Sequence, residues 1–296
     1  MLRAIRQAGV IAVLFILSAC IRVDIPLLQP LGELHERTIE GEGKSKILLM
    51  DITGFISEKE HSGGMKEKPS MVAEVKEALQ KAEKDEDIAG VILQINSPGG
   101  TVTASDLILH ELLAFKAHRK MPMYACITGL GTSGGYYIAT AADEISAHPT
   151  AITGSIGVIV MRFNVEGLMG KIGVSEKTVK SGEKKDLFSP FRPATPEEEN
   201  IMQDIIDSLH KRFVEIVLAR PGAPLTRPEV EKLADGRIYT ADQAAAARLI
   251  DRIGYLDDTV AAMKKKLNLK EARVVAYFRP GSYRGTIYSG SSPESP

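Results

Sequence analysis

The sequence predicts an α/β protein built on a mostly parallel sheet. Three observations carry that expectation. Apolar runs at residues 46–56, 89–95 and 121–128 have the length of buried strands. Helical stretches at 70–84 and 103–118 lie between them, and strands alternating with helices imply parallel pairing. Two of the runs end in glycine-rich turns, 96–100 and 129–135. Such turns fall at strand C-terminal ends, where sites of α/β proteins form.

The composition is that of an ordinary globular chain. Of 296 residues, 44% are hydrophobic and 25% charged, enough for an ample core. The formal net charge of −1 argues against a nucleic-acid partner, which needs a basic face. Cys20 and Cys126 are far apart in unlike contexts and suggest neither a disulfide framework nor a metal site. The six histidines form no ligand-spaced pair on a helix face.

Residues 1–19 read as an export signal. Arg3 and Arg6 make a positive start, and residues 9–17 form an apolar run too short to span a bilayer. Leu17-Ser-Ala-Cys20 resembles a bacterial lipobox, which makes Cys20 a lipidation site. An uncleaved N-terminal anchor is the alternative. Either way the chain is expected to be exported and membrane-anchored, with its main domain outside the cytoplasm. Residues 20–44 read as a linker, 45–279 as one domain and 280–296, rich in Gly, Ser and Pro, as a flexible tail. Within the domain, 57–69 is charged and reads as a surface loop. Ser70 caps the first helix, with Val72, Val75, Leu79 and Ala82 on one face. A long helix is expected over 193–218, opened by Pro193, Thr195 and Pro196. Shorter helices follow over 227–234, 241–249 and 257–267, then a last strand over 272–278.

Ser133 sits where the third strand turns into a helix, flanked by Gly129, Gly131, Gly134 and Gly135. A helix N-terminus offers free N–H groups to an oxyanion, so this hydroxyl is a candidate nucleophile. Several readings compete. Gly129-x-Gly131-x-x-Gly134 matches a dinucleotide fingerprint, but it comes late and Asp143 and Glu144 follow too soon. Gly131-x-Ser133-x-Gly135 matches an α/β-hydrolase elbow, yet no convincing histidine follows, the last being His210. A Ser-Lys hydrolase is the third reading. A serine that merely caps a helix is the plain alternative. Asn96-Ser-Pro-Gly99-Gly100 has the same strand–turn–helix form, and an ordinary βα turn explains it equally well.

Ser97-Pro-Gly-Gly100, Gly131-Thr-Ser133-Gly-Gly-Tyr-Tyr and Thr153-Gly-Ser155-Ile-Gly-Val158 follow one another in that order. Together they resemble the signal peptide peptidase A family of membrane-associated bacterial serine peptidases, over residues 47–267. The resemblance implies the Clp-protease/crotonase-like spiral of repeated ββα units, with C-terminal helices. It also implies a Ser-Lys dyad, with the lysine in a short turn after Ser-Gly. In Lys180-Ser-Gly-Glu-Lys-Lys185-Asp that position is Lys185, with Lys184 and Lys180 as alternatives. A lysine acts as a base near neutral pH only if burial or neighbouring dipoles lower its pKa. Val179, Leu187 and Phe188 offer partial burial, whereas a lysine in a Glu-Lys-Lys-Asp run is ordinarily solvated.

By the same transfer Ser155 orients the lysine amine, and Gly99, Gly100 and Gly134 supply oxyanion N–H groups. His148 is the rival base. Related Clp-type proteases place a histidine soon after their serine, and Ser155 in the comparable region favours lysine. The implied activity is endopeptidase cleavage of signal peptides or short unfolded membrane-associated peptides through an acyl-enzyme, without a metal or cofactor. The closing region around residues 236–247 resembles the one through which relatives pack into rings, so a homo-oligomer is expected. The alternatives are a membrane-anchored scaffold with a vestigial site and, further off, a crotonase-type acyl-CoA enzyme.

Overall fold

The computed structural model describes residues 32–63, 66–222 and 225–279, with no side-chain description for 61–68. Cys20, the export signal and the tail over 280–296 lie outside the described residues. The strands, in chain order, are β1 (His35–Glu40), β2 (Lys46–Thr53), β3 (His61–Gly63), β4 (Lys66–Lys68), β5 (Ile88–Ser97), β6 (Met123–Thr132), β7 (Glu144–Ala147), β8 (Ile152–Gly154), β9 (Ile238–Thr240), β10 (Arg252–Ile253) and β11 (Arg273–Phe278). The helices are α1 (Met71–Glu83), α2 (Val102–Arg119), α3 (Gly134–Ala139), α4 (Glu166–Lys171), α5 (Pro196–Leu218), α6 (Arg227–Leu233), α7 (Ala241–Ala246) and α8 (Leu256–Lys266).

The main sheet runs β1-β11-β2-β5-β6-β7-β10. Every neighbouring pair along it is parallel except β1 with β11. β5 is almost wholly apolar because both of its faces are covered, as expected for a central parallel strand. Alternate residues of β2 serve different cores. Ile47 and Leu49 join Ile92, Tyr124 and Cys126 under α8. Leu48, Met50 and Ile52 join the larger cluster that takes in α1, α2 and α3. Met263 of α8 is fully buried, and its sulfur fills the space over Gly90. Met263→Ala is expected to cost about 2–5 kcal/mol of stability, read from the denaturant midpoint. A cost below about 1 kcal/mol means that this face collapses onto the gap.

β6 belongs to two sheet segments, and this positions the site. Residues Tyr124 to Ile127 pair with β7, while Leu130 to Thr132 pair with β8, which carries β9 antiparallel. The strand changes partner around Gly129. There the Asn96 side-chain oxygen accepts the Leu130 N–H at 3.0 Å, and a Cβ on residue 129 would lie 2.7 Å from that oxygen.

Three sequence expectations change. The linker assigned to 20–44 contains β1, an edge strand that Lys46 pins between Glu36 at 2.8 Å and Asp85 at 2.7 Å. Its charged, mostly exposed residues are typical of a protected sheet edge and look like a linker by composition. The loop assigned to 57–69 contains β3 and β4, which pair as a two-stranded sheet of their own. The helix expected over 241–249 ends at Ala246. Arg248 then takes a left-handed turn (φ 60°), and Leu249 is buried. α1, α2 and the long α5 form as expected. Ser70 caps α1, and Thr195 with Glu198 forms a capping box at the head of α5.

Candidate active site

β6 delivers Ser133 to the head of α3 through a strained turn. Ser133 has φ 52° and ψ −120°, a left-handed conformation that costs a side chain of this kind roughly 1–3 kcal/mol. The turn is held from both sides. The Ser133 N–H donates to the Gly154 carbonyl at 2.8 Å, and the Ser133 carbonyl accepts the Tyr137 N–H at 2.9 Å. All six residues of α3 are buried. The Tyr136 hydroxyl donates to the Leu249 carbonyl at 2.7 Å, and that of Tyr137 to Asp106 at 2.6 Å. Arg212 of α5 grips the same Asp106 oxygen through Nε at 2.9 Å and Nη2 at 2.6 Å.

The Ser133 hydroxyl does not cap its helix. This separates it from Ser70, Thr101, Thr195 and Thr240, whose side chains all accept an N–H from the first helical turn. A serine that merely capped α3 would do the same. Ser133 is half-buried, and its Oγ is not spent on the helix.

The turn after β5 packs directly on Ser133. A Cβ on Gly99 (φ 100°) would lie 2.8 Å from the Ser133 Cβ and 2.8 Å from the Gly134 nitrogen. A Cβ on Gly134 would lie 2.3 Å from Ser105 Oγ and 3.2 Å from the Gly100 nitrogen. Only glycine permits backbones to approach this closely. Gly134 opens α3, so its N–H has no acceptor within the helix. The Gly99 N–H donates to Ser97 Oγ at 3.1 Å. Ser155 follows Gly154, the partner of Ser133, and also has φ 52°; its N–H donates to the Arg237 carbonyl at 2.7 Å. Ser133, Ser155, Gly99, Gly100 and Gly134 are therefore brought together.

Lys185 is not brought to them within one chain. It lies on a 3₁₀ turn, Glu183–Asp186, in an arm over 157–195 that contains no fully buried residue. Its side chain is exposed, and among the described residues it forms no hydrogen bond with Ser133 or Ser155. Val179 is 100% exposed and Phe188 57%, so the partial burial expected from them is absent. Ile159, Met161, Phe163, Leu168, Ile172 and Val179 of the arm are exposed, and burial there needs another surface. Lys184 pairs with Glu197 at 2.5 Å and Lys180 with Asp186 at 2.8 Å, so the two alternative lysines are engaged.

His148 is buried, and burial pushes its pKa down. Its ring packs on Tyr255 with centroids 5.2 Å apart, and its backbone N–H donates to the Ile127 carbonyl, which places it at the β7 end of the sheet. Among the described residues no three His, Cys, Asp or Glu side chains converge to hold a metal ion.

Sequence reasoning missed the clamp on the lysine turn. Arg192 reaches Asp186 through Nε at 2.9 Å and Nη2 at 2.8 Å, and Glu198 through Nη1 at 2.8 Å. The Arg192 guanidinium lowers the pKa of both carboxyls, that of Glu198 to about 2. A depressed carboxylate pKa contributes stability that is complete above the unfolded value and is lost as pH falls through the folded one. Protease sensitivity of the arm is therefore expected to rise between pH 4.5 and about 2. Arg192→Leu should make the arm sensitive at neutral pH. An arm equally resistant in that variant would remove the clamp.

A family model described as Peptidase family S49 matches residues 115–270, and one described as Clp protease matches 57–152. An Enterococcus faecium protein with the provisional name signal peptide peptidase SppA is 36% identical over 83% of this chain and 71% of its own. Protease 4 of Salmonella typhi is 36% identical over 65% of this chain. The chloroplastic serine protease SPPA of Arabidopsis thaliana is 29% identical over 84%. The matches span only 31% and 37% of those two longer relatives. With its mostly parallel sheet and a Clp-protease match across the first glycine turn and Ser133, the chain has a Clp-protease-like α/β fold, and it belongs to peptidase family S49 as a serine peptidase of the signal peptide peptidase A and protease 4 type.

Proposed function

We propose that this peptidase works through a Ser133–Lys185 dyad on cleaved signal peptides or short unfolded membrane-associated peptides. The observation that carries the reading is the uncapped Ser133 hydroxyl, held on a strained turn against the Gly99–Gly100 backbone. Neutral Lys185 takes the proton of Ser133 Oγ, and the oxygen attacks the peptide carbonyl carbon. The developing oxyanion meets N–H groups of Gly100 and Gly134, while that of Gly99, expected from the sequence to join them, is already given to Ser97. Lys185 returns the proton to the leaving amine as the C–N bond breaks, which leaves an acyl-enzyme. It then deprotonates the water that releases the acid. Ser155 accepts a hydrogen bond from the lysine amine and orients it. The substrate class rests on the names of the relatives.

In this reading Lys185 enters the site from a second copy in a ring. Support comes from the arm, where Ile159, Met161, Phe163, Leu168, Ile172 and Val179 are exposed beside the lysine turn. A solvent-facing apolar stretch of this extent marks an interaction surface. Anchoring falls to the N-terminal segment, whose Leu17-Ser-Ala-Cys20 resembles a lipobox; no described helix is long and apolar enough to cross a membrane. The test mixes copies of the full-length protein. Ser133→Ala and Lys185→Ala, each strongly impaired alone, are expected to regain part of the wild-type turnover when assembled together. Two variants that stay silent after mixed assembly would place both groups in one chain.

A further inference from the structure

We propose that Ser97 is a positioning residue for the peptidase reaction, its buried hydroxyl fixing the turn that presents the Gly100 N–H to the oxyanion formed at Ser133. The inference rests on the Ser133 reading above. Ser97 ends β5 and is fully buried. Its Oγ donates to the Gly54 carbonyl at 2.6 Å and accepts the Gly99 N–H at 3.1 Å. A hydroxyl has one hydrogen, and Gly54 takes it. Toward Gly99 the oxygen can therefore only accept, so the direction of that bond is set.

The opposite side of the turn is also tied. The Ile56 N–H donates to the Gly99 carbonyl at 2.9 Å, and the Ile56 carbonyl accepts the Thr101 N–H at 2.9 Å. Gly99 is thus gripped at its N–H by Ser97 and at its carbonyl by Ile56. It is also the residue packed on the Ser133 Cβ and the Gly134 nitrogen.

With both ends of Gly99 tied, the next N–H, that of Gly100, is held beside Gly134 before any charge appears. The charge then develops against a donor that need not reorganise. An interaction stronger in the transition state than in the ground state raises kcat and leaves KM alone.

The test uses the full-length protein in detergent or lipid with Ser97→Ala, Ser97→Cys and Ser133→Ala. Three quantities are read: kcat and KM on a signal-peptide substrate, the rate of Ser133 labelling by a fluorophosphonate, and the affinity of a cleaved product peptide. In Ser97→Ala, kcat and the labelling rate are expected to fall together by about tenfold to a hundredfold, with KM and product affinity unchanged. Ser97→Cys, with a weaker acceptor in the same place, should fall between. Wild-type kcat in a folded Ser97→Ala overturns the proposal. So does a loss in which product affinity and melting temperature fall in step with kcat and Ser97→Cys recovers nothing. If Ser97→Ala does not fold, Ser97→Cys carries the test, and wild-type kcat there overturns it. Activity in Ser133→Ala would instead sink the nucleophile assignment and leaves the Ser97 result to be judged on substrate turnover alone.

Discussion

Replacing Ser133 by alanine is expected to lower turnover of an apolar signal-peptide substrate by about 10⁴- to 10⁶-fold. The loss should come without a loss of structure. The hydroxyl makes no cap hydrogen bond and lies on a turn whose strain alanine shares. Its removal belongs with substitutions that move stability by no more than about 0.5 kcal/mol. Ser133→Gly is a sharper control. Glycine adopts a positive φ without penalty, so this variant should be as inactive as alanine and no less stable than wild type. The measurement pairs hydrolysis rates with melting curves of the assembled protein. Residual turnover within tenfold of wild type in both variants would rule out Ser133 as nucleophile.

Lys185→Ala is expected to cost about 10²- to 10⁴-fold, the range of a lost general base. Lys184→Ala and Lys180→Ala should lose far less, because those side chains are paired with Glu197 and Asp186. If Lys185→Ala keeps its activity while Lys184→Ala or Lys180→Ala is silent, the base moves to the neighbouring lysine. The outcome does not turn on His148, whose ring is buried against Tyr255 at the end of β7.

Much of the fold was legible because local chemistry and tertiary packing agree. The central strands are apolar on both faces, and the helices over 71–83, 102–119 and 196–218 carry caps and spacings that need no tertiary help. Misreadings fell where a segment's partner is far away in sequence. β1 looks like a linker until β11, more than 230 residues later, offers it an edge. The Arg192 clamp joins Asp186 and Glu198, each six residues away, across an irregular stretch with no periodicity to betray it.

By itself, the sequence determined the class of fold, the order of the glycine turns and the residue types that peptidase chemistry requires. These are properties of short windows, set by hydrophobic period and by the positions that only glycine can fill. Tertiary structure decided which of those residues meet. It placed the Gly99 backbone on the Ser133 Cβ, tied Ser133 to Gly154 across β8, and freed the Ser133 hydroxyl from capping duty. It also left Lys185 exposed on an apolar arm. The physical reason is that proximity between β5, β6 and β8 is created by sheet pairing, whereas among the described residues no strand carries the lysine turn into that sheet.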